Sequence, residues 1–309
     1  MHFLLVGPGA LGCLLSSIVS KGMSDSDQLT ILDYNSERAM QLTKEGIGYH
    51  LDEQLISVPV TAVSDPKLLG PVDVILLCVK SYDVINSLEF CQPLLSDRTL
   101  LIFMQNGINH LALQDHLHQA SAAFGTTSEG ATLLGTGQVR HAGSGITYLG
   151  FLEPPNKQAA ALLQKTHDVF SVGGLQIHVA DNILARLWAK LFVNAGINAL
   201  TAILGCKNGE LLSLPGIDKR MTAAVDEAID IAREKGIPIM DEPHQTTRLV
   251  CKKTAKNVSS MLQDVRNKRR TEIDAINGAV VAMGRVLGIE TPENSLLYNQ
   301  IKEIEAGYV

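Results

Sequence analysis

The chain has 309 residues, 46% of them hydrophobic and 19% charged, a balance that suits a globular protein of two domains and excludes a disordered or low-complexity chain. Its net charge of -6 argues against a general nucleic-acid binder, which needs a basic surface, yet leaves room for a local cationic pocket for a small anion. Cys13, Cys78, Cys91, Cys206 and Cys251 are scattered without a C-x-x-C pair, the apolar runs are short and interrupted, and no basic leader opens the chain, so a cytoplasmic protein without a membrane span is expected.

The first residues read MHFLLVGPGALG. Phe3 to Val6 form an apolar run, and Gly7, Gly9 and Gly12 follow in the spacing G-x-G-x-x-G. A buried strand breaking into such a turn and then an apolar helix marks the start of a dinucleotide-binding βαβ unit. Gly7 permits the turn, Gly9 lets a pyrophosphate approach the backbone, and Gly12 lets the helix pack on the sheet. The N–H groups at the helix start, around Ala10 and Leu11, then face the phosphates. The helix runs to about Lys21. A second strand, Leu29–Asp33, ends in an acidic residue 21 positions beyond Gly12, where a ribose-binding carboxylate belongs, although acidic residues also simply end strands. Asn35 or Ser36 caps the next helix, which Gly46 closes. Residues 47–60 read as short strands around a polar turn.

Val72–Val79 is strongly apolar, as a central parallel strand should be, and Lys80 follows it. Thr99–Met104 is the next strand, followed at once by Gln105, Asn106 and Gly107. Two successive strands thus end in polar groups on the edge of the sheet where ligands bind. A solvated strand end and an ordinary turn are the alternatives. In the glycine-rich segment 121–150, Val139–His141 and Ile146–Leu149 suit antiparallel strands around Gly143-Ser144-Gly145, an edge extension of the sheet, with His141 in a strand or surface role. A helix over 158–170 and a strand Leu175–Val179 complete a first domain of residues 1–180.

From 181 to 309 the pattern is helical, with segments Ile183–Ala199, Arg220–Lys235, Thr246–Cys251 onward, Thr271–Leu287, and a last one opened by Pro292. In the first, Lys190, Asn194 and Asn198 recur every fourth residue and share one face of an otherwise apolar helix. Burying a lysine and two amides is costly unless they find partners, which a ligand-facing stripe or a domain contact would supply. Ser259, Ser260, Asp264 and Glu272 are further polar candidates; Glu272 sits in register with Ile276, Ala279 and Met283, at the top of a helix, where a glutamate also serves the helix dipole.

GPGALG at 7–12, CVKSYD at 78–83, QNGI at 105–108, the G-x-V-x-H-x-G-x-G segment at 137–145, AKLFVNAGINALTA at 189–202, and SSMLQDV with TEIDAINGAVV at 259–281 together resemble the ketopantoate reductase (2-dehydropantoate 2-reductase) family over nearly the whole chain. The resemblance implies an α/β fold, with an N-terminal Rossmann-type dinucleotide-binding domain followed by an all-helical C-terminal substrate and catalytic domain. It implies reduction of ketopantoate to (R)-pantoate in pantothenate and coenzyme A biosynthesis. It places the catalytic lysine at Lys190 and the substrate-binding glutamate at Glu272. Asn194, Asn198 and Ser260 fall on substrate-binding positions, with Ser259 in place of Ser260 under a one-residue shift, and Lys80 and Asn106 line both substrate and nicotinamide. Cofactor contacts fall on Gly7, Gly9, Ala10, Leu11, Gly12, Asp33 and Arg38. The implied cofactor is NADPH, but Tyr34 or Asn35 stands where NADPH-preferring members carry an arginine, and Asp33 suits the free hydroxyls of NADH; both stay open. No metal is implied, the partner is a small 2-oxo acid, and a homodimer is the base-rate expectation. The rival readings are a reductase of another small 2-oxo acid and a non-enzymatic dinucleotide-binding protein; retention of Lys190 with Glu272 argues against the latter.

Overall fold

The structure is a computed structural model, which describes residues 1–52, 54–117 and 120–308. Contacts divide the chain into one unit of Met1–Gln105 with His110–Ile183 and a second of Asn106–Asn109 with Leu184–Val309.

The first unit opens with β1 (His2–Val6), α1 (Ala10–Gly22), β2 (Gln28–Leu32), α2 (Ser36–Glu45), β3 (Ile47–Leu51), β4 (Gln54–Val58), β5 (Thr61–Val63), β6 (Val74–Leu77), α3 (Val84–Cys91) and β7 (Leu100–Phe103). It continues with β8 (Ser121–Thr127), β9 (Gly130–Gly135), β10 (Gln138–Gly143), β11 (Ile146–Gly150), α4 (Lys157–Val172) and β12 (Gln176–Val179). The polar turn expected within 47–60 includes Glu53, which lies outside the described residues.

The large sheet has the order β12-β11-β8-β7-β6-β1-β2-β5. Its pairs are parallel except β8 with β11. Central strands of a parallel sheet are covered on both faces, which is why β1, β6 and β7 are almost continuously apolar and buried. Leu14, Ile18 and Val19 of α1 and Phe170 of α4 pack with Phe3, Leu5, Leu76 and Ile102 in one core. The order reverses at β1: β2 lies on one side and β6 on the other. The crevice at the carboxyl ends of these strands is the place where such sheets bind ligands.

A smaller sheet has the order β4-β3-β10-β9. Here the expected hairpin around Gly143-Ser144-Gly145 is corrected. β10 pairs with β9 and β3, whereas β11 pairs with β8 and β12 in the large sheet. Beyond β7 the large sheet is extended by β8, β11 and β12. The hairpin turn falls at Thr136-Gly137 instead, where Gly137 takes φ +68°. Residues 143–145 carry the chain across, held by Gly145 N–H to Glu129 Oε1 (2.9 Å) and Ile146 N–H to Ser128 Oγ (2.8 Å). His141 sits within this sheet between Tyr49 Oη (3.1 Å) and Glu129 Oε2 (2.5 Å).

The second unit is built on α5 (Ile183–Leu204), with α6 (Ile217–Glu234), α7 (Pro243–Lys253), α8 (Ser260–Arg266), α9 (Asn277–Leu287) and α10 (Pro292–Ala306). By length and composition α5 is apolar enough to cross a membrane, but 67% of that stretch is buried within the protein. Trp188, Leu191, Phe192 and Ala195 of α5 are buried, as are Val225 and Ala228 of α6, Val280 of α9 and Leu297 of α10, and α6, α9 and α10 pack on one another. The start of α10 is fixed by Glu227 of α6, whose carboxylate accepts the N–H groups of Glu293 (2.7 Å) and Asn294 (2.8 Å).

The expected helix Thr271–Leu287 is also corrected. Glu272 precedes a short 3-10 turn, Ile273–Ala275, the backbone breaks at Ile276 (φ -105°, ψ -93°), and α9 starts only at Asn277. The cause is a competing set of donors. Asn109 Nδ2 donates to the carbonyl of Asp274 (3.0 Å), and the Ile108 N–H to that of Ala275 (3.4 Å), oxygens that a continuous helix would use itself.

Candidate functional site

In the first unit, the registers Val6 with Leu32, Val6 with Leu77 and Leu77 with Phe103 bring the ends of β2, β1, β6 and β7 level. Gly7, Asp33, Cys78 and Met104 therefore leave the sheet along one edge. Gly7 turns with φ +90°, and a Cβ there would lie 2.5 Å from Val79 Cγ1. At Gly12 a Cβ would lie 2.2 Å from the Gly7 carbonyl, so α1 rests directly on the turn. Gly9, the N-cap of α1, is different: a Cβ would meet nothing within 4 Å, and no side chain caps the helix. The first turn, with Ala10 and Leu11, carries no acidic residue. An open, uncapped helix N-terminus at the sheet's switch point fits the pyrophosphate of a dinucleotide.

Asp33, immediately after β2, is buried. Its carboxylate accepts from Arg38 Nε (2.8 Å) and from the Asn35 N–H (3.0 Å), and pairs with Arg38 Nη2 (2.5 Å). The Asn35 side chain caps α2 through the Arg38 N–H. Lys80 is partly buried and precedes the 3-10 turn Ser81–Asp83. Burial, then Asp33, pushes the Cys13 thiol up to about 12, and burial raises Cys78 as well, so neither offers a thiolate near neutral pH.

In the second unit, Lys190, Asn194 and Asn198 all lie on α5, with Asn198 7% exposed. Burial pushes the Lys190 ammonium down to about 8, and the Glu272 carboxylate opposes that fall. Glu272 is 5% exposed and accepts a hydrogen bond from Asn106 Nδ2 (2.8 Å). Lys190, Glu272 and Asn106 thus form one polar group within the second unit. The two serine candidates separate. Ser259 is buried, caps α8 through the Leu262 N–H (3.1 Å), and accepts from Thr201 Oγ1 (2.7 Å). Ser260 is exposed at the first position of α8.

Two features escaped the sequence. One is the grouping of Asn106–Asn109 with residues 272–275, a contact across more than 160 residues that no local pattern encodes. The Asn-Gly pair just past a strand is its single local sign. The other is Thr201, whose hydroxyl bonds Ser259 and its own helix.

Residues 3–154 match the family described as ketopantoate reductase PanE/ApbA, and residues 182–305 its C-terminal counterpart. A 2-dehydropantoate 2-reductase of Vibrio cholerae is 33% identical over 315 residues, covering 100% of this chain and 99% of that protein. One of Halobacterium salinarum is 31% identical, covering 94% and 95%. Among solved structures, a PanE/ApbA family ketopantoate reductase from Ralstonia eutropha superposes with a TM-score of 0.89 at 27% identity, covering 100% of this chain and 99% of the other. A D-mandelate dehydrogenase with NADH and anilino(oxo)acetate superposes with a TM-score of 0.91, also at 27% identity and with the same coverage. The fold is therefore the Rossmann-type sheet and helical C-terminal region expected, and the chain belongs to the ketopantoate reductase family.

Proposed function

We propose that the chain is a 2-dehydropantoate 2-reductase, reducing the C2 ketone of ketopantoate to the hydroxyl of (R)-pantoate. The observation that carries this is a partly buried lysine that feels the charge of a buried glutamate and shares its helix with two asparagines, in a chain of this family. Gly7, Gly9, Ala10, Leu11 and Gly12 of residues 1–180 would hold a nicotinamide dinucleotide, which when bound would supply the hydride.

As hydride arrives, negative charge develops on the ketone oxygen. Lys190 stabilises it and donates the proton. A lysine near 8 suits a proton donor, because it is protonated at neutral pH yet gives up its proton more readily than an exposed lysine. Glu272 accepts a hydrogen bond from the substrate's 4-hydroxyl, and Asn106 fixes the carboxylate that does so. Asn194, Asn198 and Ser260 hold the hydroxyl and carboxylate ends. Ser260 suits this better than Ser259, whose hydroxyl is already committed. Lys80 and Asn106 add a cation and an amide for the substrate carboxylate or the nicotinamide. The reading places the protein in the cytoplasm, where its five free cysteines stay reduced.

The test is oxidation of NADH and NADPH with ketopantoate, for the wild type and Lys190→Ala. Ketopantoate-dependent turnover that collapses in the variant, while the dinucleotide still binds, supports the assignment. Turnover of an aryl 2-oxo acid with none of ketopantoate overturns the substrate.

A further inference from the structure

We propose that the end of β2 selects the dinucleotide without a 2′-phosphate, NADH over NADPH, with Asp33 as the discriminating residue and Arg38 as its clamp. The inference rests on the dinucleotide reading of the first unit, and every group it uses lies within that unit.

In a doubly wound sheet, a dinucleotide whose pyrophosphate sits at the first helix N-terminus brings its adenosine ribose to the end of the second strand. Here that position is Asp33, level with the Gly7 turn through the Val6–Leu32 register. The cation that pairs with this carboxylate is Arg38, engaged through two of its three guanidinium nitrogens. Its Nε and Nη2 donate to the two carboxylate oxygens, at 2.8 and 2.5 Å, a planar fork-to-fork pair. Its guanidinium also lies 4.9 Å from the centre of the Tyr34 ring, which is 78% exposed. The side chain of Asp33 is 1% exposed and that of Arg38 41%, so Arg38 is the movable cover and Asp33 the fixed charge.

The two cofactors make different demands on this pair. To grip a 2′-phosphate with the same Nε–Nη2 fork, Arg38 would have to leave Asp33. The carboxylate would then keep only the Asn35 N–H and would face a group of nearly two negative charges at short range, in a setting where a buried charge already needs its partner. A 2′-hydroxyl makes no such demand. Asp33 Oδ2 accepts a single hydrogen bond among those described, so a small shift of Arg38 leaves it able to accept a ribose hydroxyl as well. The pair therefore discriminates by repulsion and by a partner that the phosphate cannot take without cost.

The test is calorimetric binding of NADH and NADPH, and of the fragments adenosine 5′-monophosphate and adenosine 2′,5′-bisphosphate, to the full-length protein. Wild type should bind NADH about tenfold or more tighter than NADPH, a difference of about 1.4 kcal/mol. The fragments should follow the same order. Asp33→Ser, which removes the charge and frees Arg38, should invert the order. Asp33→Asn keeps the side-chain shape and should narrow the gap, which guards against a Ser variant that folds poorly. Tighter NADPH binding by the wild type, or a ratio unmoved by both variants, overturns the proposal. Failure of both dinucleotides to bind overturns the dinucleotide reading itself, a separate result from a reversed preference.

Discussion

Lys190 gives the sharpest pH prediction. Burial lowers its ammonium from the ordinary lysine value of 10.5 to about 8. With Lys190 as proton donor, the competent form is the protonated one. It makes up about nine-tenths of the enzyme at pH 7 and about one-tenth at pH 9. The kcat/KM for ketone reduction should therefore be flat below pH 8 and fall about tenfold per pH unit above it, while oxidation of the alcohol, which needs the neutral amine, should rise over the same range. Glu272 opposes the lowering, so Glu272→Gln should move the break to lower pH, separately from any loss of substrate affinity. Lys190→Ala should lose about 10²–10⁴-fold in kcat and the break with it. Stability carries the opposite signature. The folded-state value lies below the unfolded one, so between about 8 and 10.5 the unfolded chain binds the extra proton, and stability rises with pH across that window. Below it the penalty is fully present, and Lys190→Met should raise Tm at pH 7 and remove the slope. The assay is initial rates from pH 6 to 10 at saturating dinucleotide, with parallel thermal melts. A wild-type reduction profile without a break near 8, or the same break in Lys190→Ala, would refute the assignment of the proton to Lys190.

Three further outcomes are expected. Gly9→Ala should fold as the wild type does, because its Cβ meets nothing within 4 Å, yet bind dinucleotide more weakly; Gly12→Ala, with its Cβ 2.2 Å from the Gly7 carbonyl, should lose about 1–3 kcal/mol of stability in denaturant melts. Ser259→Ala should cost about 1–2 kcal/mol through the lost cap of α8 and the lost Thr201 contact, whereas Ser260→Ala should leave the melt unchanged and raise the KM for ketopantoate. Asn106→Ala should raise that KM, and the same substitution should change little in a Glu272→Ala background, a double-mutant cycle that reads the 2.8 Å bond between them.

The first unit was largely legible because its signals are local. A continuous apolar run followed by glycines at fixed offsets determines β1, the turn and α1, and Asn35 and Gly46 mark the ends of α2 as their chemistry dictates. Polar steps of four along α5 placed Lys190, Asn194 and Asn198 on one helix without any tertiary information. The errors arose where a distant partner outweighed local pattern. Residues 143–145 looked like a hairpin turn, but β10 found β3, some 90 residues earlier in the chain. The apolar spacing of Glu272, Ile276, Ala279 and Met283 is truly helical. It failed because Ile108 and Asn109 take the carbonyls that the helix needs.

That failure bears on function. Had residues 271–287 formed one helix, Glu272 would sit in its first turn, free to answer to the helix dipole. Instead it precedes a broken turn, buried, with its Oε2 held by Asn106. The segment that supplies Asn106 follows β7 directly, and its Gly107 takes φ +77° with a would-be Cβ 2.0 Å from the Ala275 carbonyl. Glycine is the one residue that lets this backbone approach so closely. The local departure from helical pattern therefore sets the orientation of the carboxylate, and with it the charge that Lys190 feels. A substitution at Gly107 should act on the Lys190 pH break as well as on stability, through the carboxylate that Asn106 holds. Gly107→Ala should displace the Asn106–Asn109 segment, loosen Glu272, and lower the pH at which reduction begins to fail. A variant that melts earlier but keeps the wild-type break would show that Glu272 needs no such support.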